Sequence, residues 1–409
     1  METQTAISFD NTEIAFAYKS DAELKKAHFL FLSMGKPWLV KLGVKLTPGL
    51  VRVKFPFFRA LIRHTIFKQF VGGETLDQNL VVADKLEKYG VQVILDYGVE
   101  GKEGEENFEF ASREFIKVVN YAASNPAFPF MSVKVTGFAR FSLLEALDKQ
   151  MKTGKGTLIK RYLDAVNSLP SEEKLEWHKV RLRLMRICEE AAKGNVGVLV
   201  DAEETWIQYP VDALVMMMMD IFNKDKIVIY NTIQHYRQDR LQFLKDSYDG
   251  ARERNFILAV KLVRGAYMEK ERERASLMGY PSPIQPDKES TDRDFNAGVE
   301  FCIDHLDKIA LIVASHNENS SLFAAEMMQK KGLSLHHPHI HWSQLYGMSD
   351  NITFNLAING CSVSKYLPFG PIKEVIPYLM RRAEENSSMK GQTGRELSLI
   401  KKEMKRRGI

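Results

Sequence analysis

Short apolar, β-rich runs recur along most of this chain, each followed by a stretch whose apolar residues return at helical spacing. The runs are Val91–Val99, Phe130–Phe138, Val196–Glu204, Ile227–Gln234, Ile257–Tyr267, Ala310–Asn317, His339–Tyr346 and Cys361–Phe369, eight in all. Continuous apolar strands alternating with amphipathic segments predict a parallel sheet covered on both faces. Eight of them predict a closed (βα)8 barrel of the α/β class. The pattern ahead of the first run is helical, so residues 1–88 read as an N-terminal helical region. The barrel is expected over 89–390, interrupted by one charged, amphipathic helical insert at about 142–193, between the second and third strands and packing outside the barrel. Residues 391–409 read as a basic C-terminal tail. No G-x-G-x-x-G follows any strand, which argues against a Rossmann dinucleotide site.

Composition adds little to this but excludes several classes. The 409 residues are 45% hydrophobic and 27% charged, as in ordinary globular proteins. That length suits a barrel of about 250 residues with an added helical region. No run of eighteen apolar residues suggests a membrane-spanning helix. The opening Met1-Glu-Thr-Gln-Thr-Ala is neither a signal nor a transit sequence in character. Cys188, Cys302 and Cys361 are far apart and odd in number, which fits a reducing cytosol rather than a disulfide framework or a zinc site.

Charge is unevenly placed. The net charge is +5, and between Lys25 and Gly73 there are ten Lys or Arg and no Asp or Glu. The same stretch holds Trp38 and many Phe, Leu and Val. It reads either as a helical region with snorkelling lysines or as an element lying on an anionic membrane surface. No recognised nucleic-acid motif accompanies it, and no nucleic-acid partner is expected.

Polar groups gather where a barrel keeps its chemistry, at the C-terminal ends of the strands. Those ends carry Asp96 and Glu100, Lys134, Asp201 with Glu203 and Glu204, Asn231 and Gln234, Lys261 and Arg264, Ser315 and His316, Gln344, and Tyr366. Each has a structural explanation when taken alone: Lys134 can snorkel, Asp201 can cap a helix, and His316 can be a hydrogen-bonded core imidazole. A strand end does not tolerate so many charges unless they are paired or functional. After the last strand, Tyr378, Arg381, Arg382 and Glu385 share one broad face of a helix opening near Pro371. Two adjacent guanidiniums suit a carboxylate or a phosphate, although an Arg pair on a surface helix can also be merely solvated.

The chain resembles the proline dehydrogenases (proline oxidases), in their stand-alone form. The resemblance rests on Phe70-Val-Gly-Gly-Glu74, Ile94-Leu-Asp-Tyr-Gly-Val-Glu100, Leu199-Val-Asp-Ala-Glu-Glu204, Lys261-Leu-Val-Arg-Gly-Ala-Tyr267, Tyr366-Leu-Pro-Phe-Gly-Pro371 and Tyr378 to Ser388, in order along the chain. It implies a distorted (βα)8 barrel with FAD across the strand ends and the last helix over the active site. The implied activity is oxidation of L-proline to Δ1-pyrroline-5-carboxylate, by loss of a hydride from C5 to flavin N5. A membrane quinone would receive the electrons and a separate pyrroline-5-carboxylate dehydrogenase the product. The implied location is cytoplasmic, peripheral on the inner face of the cell membrane.

The same resemblance distributes roles. Lys134, Asp201, Tyr366, Arg381 and Arg382 would be the catalytic set, with the two arginines and Lys134 on the proline carboxylate. Asp201, Glu100 and Glu385 would offset these cations, and Glu100 would pair with Arg381 as a gate. Tyr366, Tyr378, Ala266, Tyr267 and Leu345 would wall the ring. Lys261 would stand beside flavin N5, and Asn231, Gln234, Val263, Gly265, Ala266, Lys288, Ser315, His316 and Glu385 match other cofactor positions. Hydroxyproline dehydrogenases share this scaffold, but tend to replace the tyrosine at Tyr366 with a small residue. A metal-dependent barrel hydrolase is a more distant alternative, invited by His336-His337-Pro-His339-Ile-His341. No metal site is expected, because these histidines lie at the start of the seventh strand. A non-catalytic membrane or nucleic-acid binding protein using the basic segment is the remaining one.

Overall fold

In the computed structural model the apolar runs form strands β1 (Val91–Tyr97), β2 (Phe130–Val133), β3 (Gly197–Val200), β4 (Ile229–Gln234), β5 (Leu258–Val263), β6 (Ile309–Ala314), β7 (Ile340–Leu345) and β8 (Val363–Phe369). They close in sequence order into a barrel, and the parallel register runs, for example, from Val91 opposite Val363 to Tyr97 opposite Phe369. The structure describes residues 7–52, 60–98, 103–388 and 390–409. Every residue of β3, β4 and β8 is buried, so these strands lack the apolar–polar alternation of a half-exposed sheet, and the polar residues within β4 and β8 are enclosed. Three strands, β2, β3 and β5, stop four or five residues earlier than the pattern suggests. Beyond β2 the chain tightens into a 3-10 turn at Val135–Gly137. Beyond β5 it turns at Gly265, whose φ of +130° and close approach to the Tyr236 ring leave no room for a Cβ.

The helices are α1 (Thr12–Phe16), α2 (Asp21–Met34), α3 (Pro37–Arg52), α4 (Leu76–Glu87), α5 (Glu105–Ala123), α6 (Phe141–Thr153), α7 (Leu158–Ser168), α8 (Ser171–Gly194), α9 (Gln208–Phe222), α10 (Arg240–Glu253), α11 (Met268–Met278), α12 (Lys288–Asp304), α13 (Glu318–Lys330), α14 (Asp350–Ile358), α15 (Ile372–Ser388) and α16 (Lys390–Arg407). Their starts follow local chemistry. Ser20 and Glu23 form a reciprocal capping box on α2. Asp287 accepts from the Ser290 N–H at 2.7 Å to open α12, and Asn317 accepts from the Ser320 N–H at 3.1 Å to open α13. The expected insert is α6, α7 and α8. It docks on α5 through Arg183, almost fully buried, whose guanidinium bonds the Phe138 carbonyl and pairs with Glu105 and Glu109.

Contacts group the chain into two compact units, one of residues 1–98 with 343–409 and one of residues 99–342. In the first, an apolar cluster joins Phe16, Leu24, Phe31 and Phe70 to Ile372, Val375 and Leu379 of α15 and to Leu399 and Ile400 of α16. The stretch 391–409, read above as a basic tail, is therefore helix as far as Arg407, with an apolar face. Its many cations hide that face in the sequence.

The same unit encloses charge. Asp350, at the start of α14, takes Lys19 at 3.0 Å and Lys365 of β8 at 2.9 Å, with the Tyr18 hydroxyl donating at 2.9 Å. Burial raises the Asp350 carboxyl, but the two lysines overcome it and hold the pKa at about 2. Glu396 of α16 accepts the Ser349 N–H. Its own burial, with Asp350 nearby, pushes its pKa up to about 7.

This carboxyl gives a pH prediction. Between about pH 4.5 and 7 the folded chain keeps the Glu396 proton that the unfolded chain has lost, so stability falls as pH rises through that window. The loss should be on the order of 2–3 kcal/mol. Glu396→Gln should flatten it, as read by urea unfolding of both proteins at pH 4.5 and 7.5. An equal fall in both would show that another group carries it.

Candidate active site

The C-terminal ends of β2 to β5 bring a small ionic cluster together. Lys134 follows the last residue of β2, Asp201 follows β3, and Lys261 lies within β5. Asp201 pairs with Lys261 through one oxygen and lies 3.6 Å from Lys134 through the other. All three side chains are largely buried. Two ammonium groups so close would repel one another in a low dielectric, and the carboxylate between them removes most of that cost.

The loop that presents Asp201 is clamped along its length. The Glu203 N–H donates to the Gln208 amide oxygen at 3.1 Å, and the Glu203 carbonyl accepts from Gln234 at 3.1 Å. Thr136 donates to the Glu203 carboxylate at 2.8 Å. Thr205 donates its N–H at 2.8 Å and its hydroxyl at 2.7 Å to Glu271, a fully buried carboxyl. The Asp201 N–H itself donates to the Val133 carbonyl at 2.9 Å, so the residue is tied to β2 as well as to the clamped loop that follows it.

Asn231 and Gln234 point to different places. Phe130 meets Tyr230 and His341 edge-on inside the barrel, so the even positions of β4 face inward. Gln234 belongs to that inward set, and its Oε1 is buried with no hydrogen-bond partner among the described residues. Asn231 faces α9, where its amide donates to Asp212 at 3.0 Å and its Oδ1 is buried and unpartnered.

At the exits of β5 and β6, Arg264 donates to Asp292 at 2.7 Å, to Ser315 at 2.6 Å and to Ser320 at 2.8 Å, over the Phe295 ring. Lys288, mostly exposed, reaches the same network through Asp292. Val263, Ala266, Tyr267 and His316 stand at these exits too. Arg264 had no assigned role in the sequence, although an arginine beside the left-handed Gly265 at a strand exit was a usable signal.

This rim fits a flavin dinucleotide by its donor set. A buried acceptor at Gln234 calls for an N–H or O–H donor, which a flavin ring and its ribityl chain offer. Lys261 and Arg264 are cations suited to the electron-rich reduced ring and to a pyrophosphate.

The other expected residues lie at the exit of β8, in the unit built from both ends of the chain. Tyr366 is buried in β8, and its carbonyl accepts from the Tyr346 N–H at 2.9 Å. Leu345 closes β7. On α15, Arg382 is buried, donates to Glu385 at 2.5 Å and lies over the Tyr378 ring. Burial raises the Glu385 carboxyl, opposed by Arg382 and Arg381. Burial also pushes the Tyr378 hydroxyl well above its ordinary range. Two polar atoms here have no partner among the described residues, the Tyr378 hydroxyl and Arg382 Nε. Glu100, and with it the expected gate on Arg381, lies outside the described residues.

The histidine run is accounted for locally. His337 accepts the His339 N–H at 3.1 Å, His339 bonds the Leu306 carbonyl, and burial holds His341 neutral with a pKa of about 3. Among the described residues, no three His, Cys, Asp or Glu side chains converge as metal ligands.

Comparison with known proteins agrees with this layout. The family model "Proline dehydrogenase" matches residues 80–395. The chain is 32% identical to hydroxyproline dehydrogenase of Xenopus laevis over 99% of itself and 91% of that protein. It is 32% identical to mitochondrial proline dehydrogenase 1 of Dictyostelium discoideum over 85% of itself, but spans only 65% of that protein. Among solved structures it superposes on proline utilization A of Bdellovibrio bacteriovorus with a TM-score of 0.70 and 19% identity, covering 98% of this chain and 42% of that one. That last likeness is one of fold. Taken with the family match over most of its length, it leaves one placement for the sequence: the chain belongs to the proline dehydrogenase family.

Proposed function

We propose that the chain oxidises L-proline to Δ1-pyrroline-5-carboxylate with FAD as cofactor, the first step of proline degradation to glutamate. The observation that carries this is the pair on α15, a buried Arg382 whose Nε has no partner among the described residues, beside a Tyr378 hydroxyl that also has none among them. Buried donors left open are costly, and a carboxylate is the group that satisfies them. Arg381 and Arg382 hold the proline carboxylate. Glu385 keeps these cations from repelling one another before substrate arrives. Tyr366, Tyr378 and Leu345 wall the ring and exclude water.

Bound FAD supplies the two-electron acceptor for the hydride that leaves C5, and Lys261, Gln234, Gly265, Val263, Ser315, His316 and Lys288 are the residues that would hold it. The proline nitrogen must be unprotonated, because its lone pair drives the hydride out and becomes the new C=N bond. Most of the rate then comes from holding C5 in place, which is what paired guanidinium forks do well. A second reading, oxidation of hydroxyproline, is favoured by the Xenopus relative's name. Tyr366 argues for proline, since its buried ring takes the space a 4-hydroxyl would need.

The onward path of the electrons motivates a reading of α2 and α3. These helices bury Leu24, Phe31, Met34 and Val40 while leaving Phe29 68%, Trp38 65% and Leu42 48% exposed, among exposed Lys25, Lys26, Lys36, Lys41 and Lys45. Among the described residues, no helix is long and apolar enough to cross a membrane. We take this face as a peripheral contact with an anionic membrane, from which a quinone is reached. A separate pyrroline-5-carboxylate dehydrogenase would then consume the product.

Three outcomes check these assignments. Arg381→Met or Arg382→Met should raise the proline KM by roughly ten- to a hundred-fold, about 1.5–3 kcal/mol, while FAD stays bound. Unchanged proline kinetics in both would remove the arginines from the site. Tyr366→Ser should lower proline turnover and improve the relative use of trans-4-hydroxy-L-proline. A constant substrate ratio would place Tyr366 outside the pocket. Finally, the flavin-loaded protein should pellet with anionic vesicles at low salt and be partly released as salt rises, because screening removes the lysine contribution but leaves Phe29 and Trp38 inserted. Full recovery in the supernatant at low salt would make this face an ordinary solvated one.

A further inference from the structure

Leu345 and Tyr366, two of the proposed ring-wall residues, sit on neighbouring pieces of chain whose spacing is set from behind. The loop from Leu345 to Asp350 leaves β7 and opens α14. Lys365, next to Tyr366 in β8, points to the opposite side of the strand and is fully buried. Its ammonium donates to the Met348 carbonyl at 2.6 Å and lies 3.5 Å from the Leu345 carbonyl, besides its ion pair with Asp350. A lysine inside a strand is costly to bury unless it is matched. Here it is matched by the backbone of the loop that carries Leu345.

The rest of that loop is fixed by residues distant in sequence. Gln69 donates to the Gly347 carbonyl at 2.7 Å, and a Cβ on Gly347 would come within 2.0 Å of the Gln69 carbonyl oxygen. Ser349 has a φ of +51°, an unfavourable conformation for a residue with a side chain. It persists because Glu396 of α16 takes its N–H, and Asp350 beside it is held by Lys19 and Tyr18. Strained backbone of this kind persists only where its surroundings over-determine it. An apolar filling of the same space would pack as well and be no less stable. It would not, however, fix the carbonyls of the Leu345 loop against β8.

We propose that Lys19, Asp350, Lys365 and Glu396 form a positioning device for the substrate wall. They set the gap between Leu345 and Tyr366 and so discriminate an unsubstituted five-membered imino-acid ring from a 4-hydroxylated one. Lys19 and Glu396 then tune ring selection from positions that do not touch substrate. This inference rests on the assignment of Leu345 and Tyr366 to the wall.

The test uses the full-length, FAD-loaded enzyme with Lys19→Met and Glu396→Met, each beside a variant that keeps the interaction, Lys19→Arg and Glu396→Gln. kcat/KM is measured for L-proline and trans-4-hydroxy-L-proline, together with FAD content and Tm. Both methionine variants should retain FAD, raise the proline KM, and lower the preference for proline about tenfold, since small displacements at a reacting site carry large rate effects. The conservative variants should restore the preference. A lower Tm with an unchanged preference would make the cluster purely structural and overturn the proposal. If a methionine variant does not fold, Lys19→Gln and Glu396→Ala, which also remove the interaction, take its place, and an unchanged preference in those folded variants would overturn the proposal equally. Parent enzyme that does not oxidise L-proline at all would instead remove the functional reading on which the inference rests.

Discussion

The Asp201 carboxylate, set between Lys134 and Lys261, is the interaction on which the proposed site at the strand ends of this barrel depends. A parallel barrel places its strand ends side by side, so cations at neighbouring strand ends are forced close together. Without an acid among them, the two buried ammonium groups would repel one another with little to offset it. The clamps on Glu203 and Thr205 exist to keep that acid in place, because a loop free to swing would carry the compensating charge away.

The same logic recurs in the unit built from the two ends of the chain. Glu385 does for Arg382 what Asp201 does for the lysines, and Asp350 does it for Lys19 and Lys365. Buried pairs of this sort add little net stability compared with apolar packing. Their contribution is registry. Each fixes one element against another at a defined atom, which a cluster of leucines and phenylalanines does not.

How much of this was legible in the sequence depended on how local the signal was. The eight strands showed themselves because a strand covered on both faces is a continuous apolar run, and the rim residues followed from where those runs stop. Tyr378, Arg382 and Glu385 were legible because a helix repeats its face every three to four residues. Lys365 was not, since a lysine inside an apolar run gives no hint that its partners are Asp350, Met348 and Leu345. Glu396 was hidden for a similar reason. It lies in a segment whose cations outnumber its apolar residues, and the surface it buries comes from the other end of the chain. Asn231 shows another limit: strand alternation turns it toward α9, where its amide donates to Asp212, which its place near a strand end does not reveal.

The central claim is that this site takes electrons from the C5 position of L-proline. It is tested most directly by adding L-proline, without oxygen, to the folded and FAD-loaded protein and following the visible absorbance of the oxidised flavin. The account predicts bleaching of that band by L-proline, with weaker or slower bleaching by trans-4-hydroxy-L-proline. A flavin that stays oxidised at every L-proline concentration, or that is bleached preferentially by the hydroxylated ring, would contradict it.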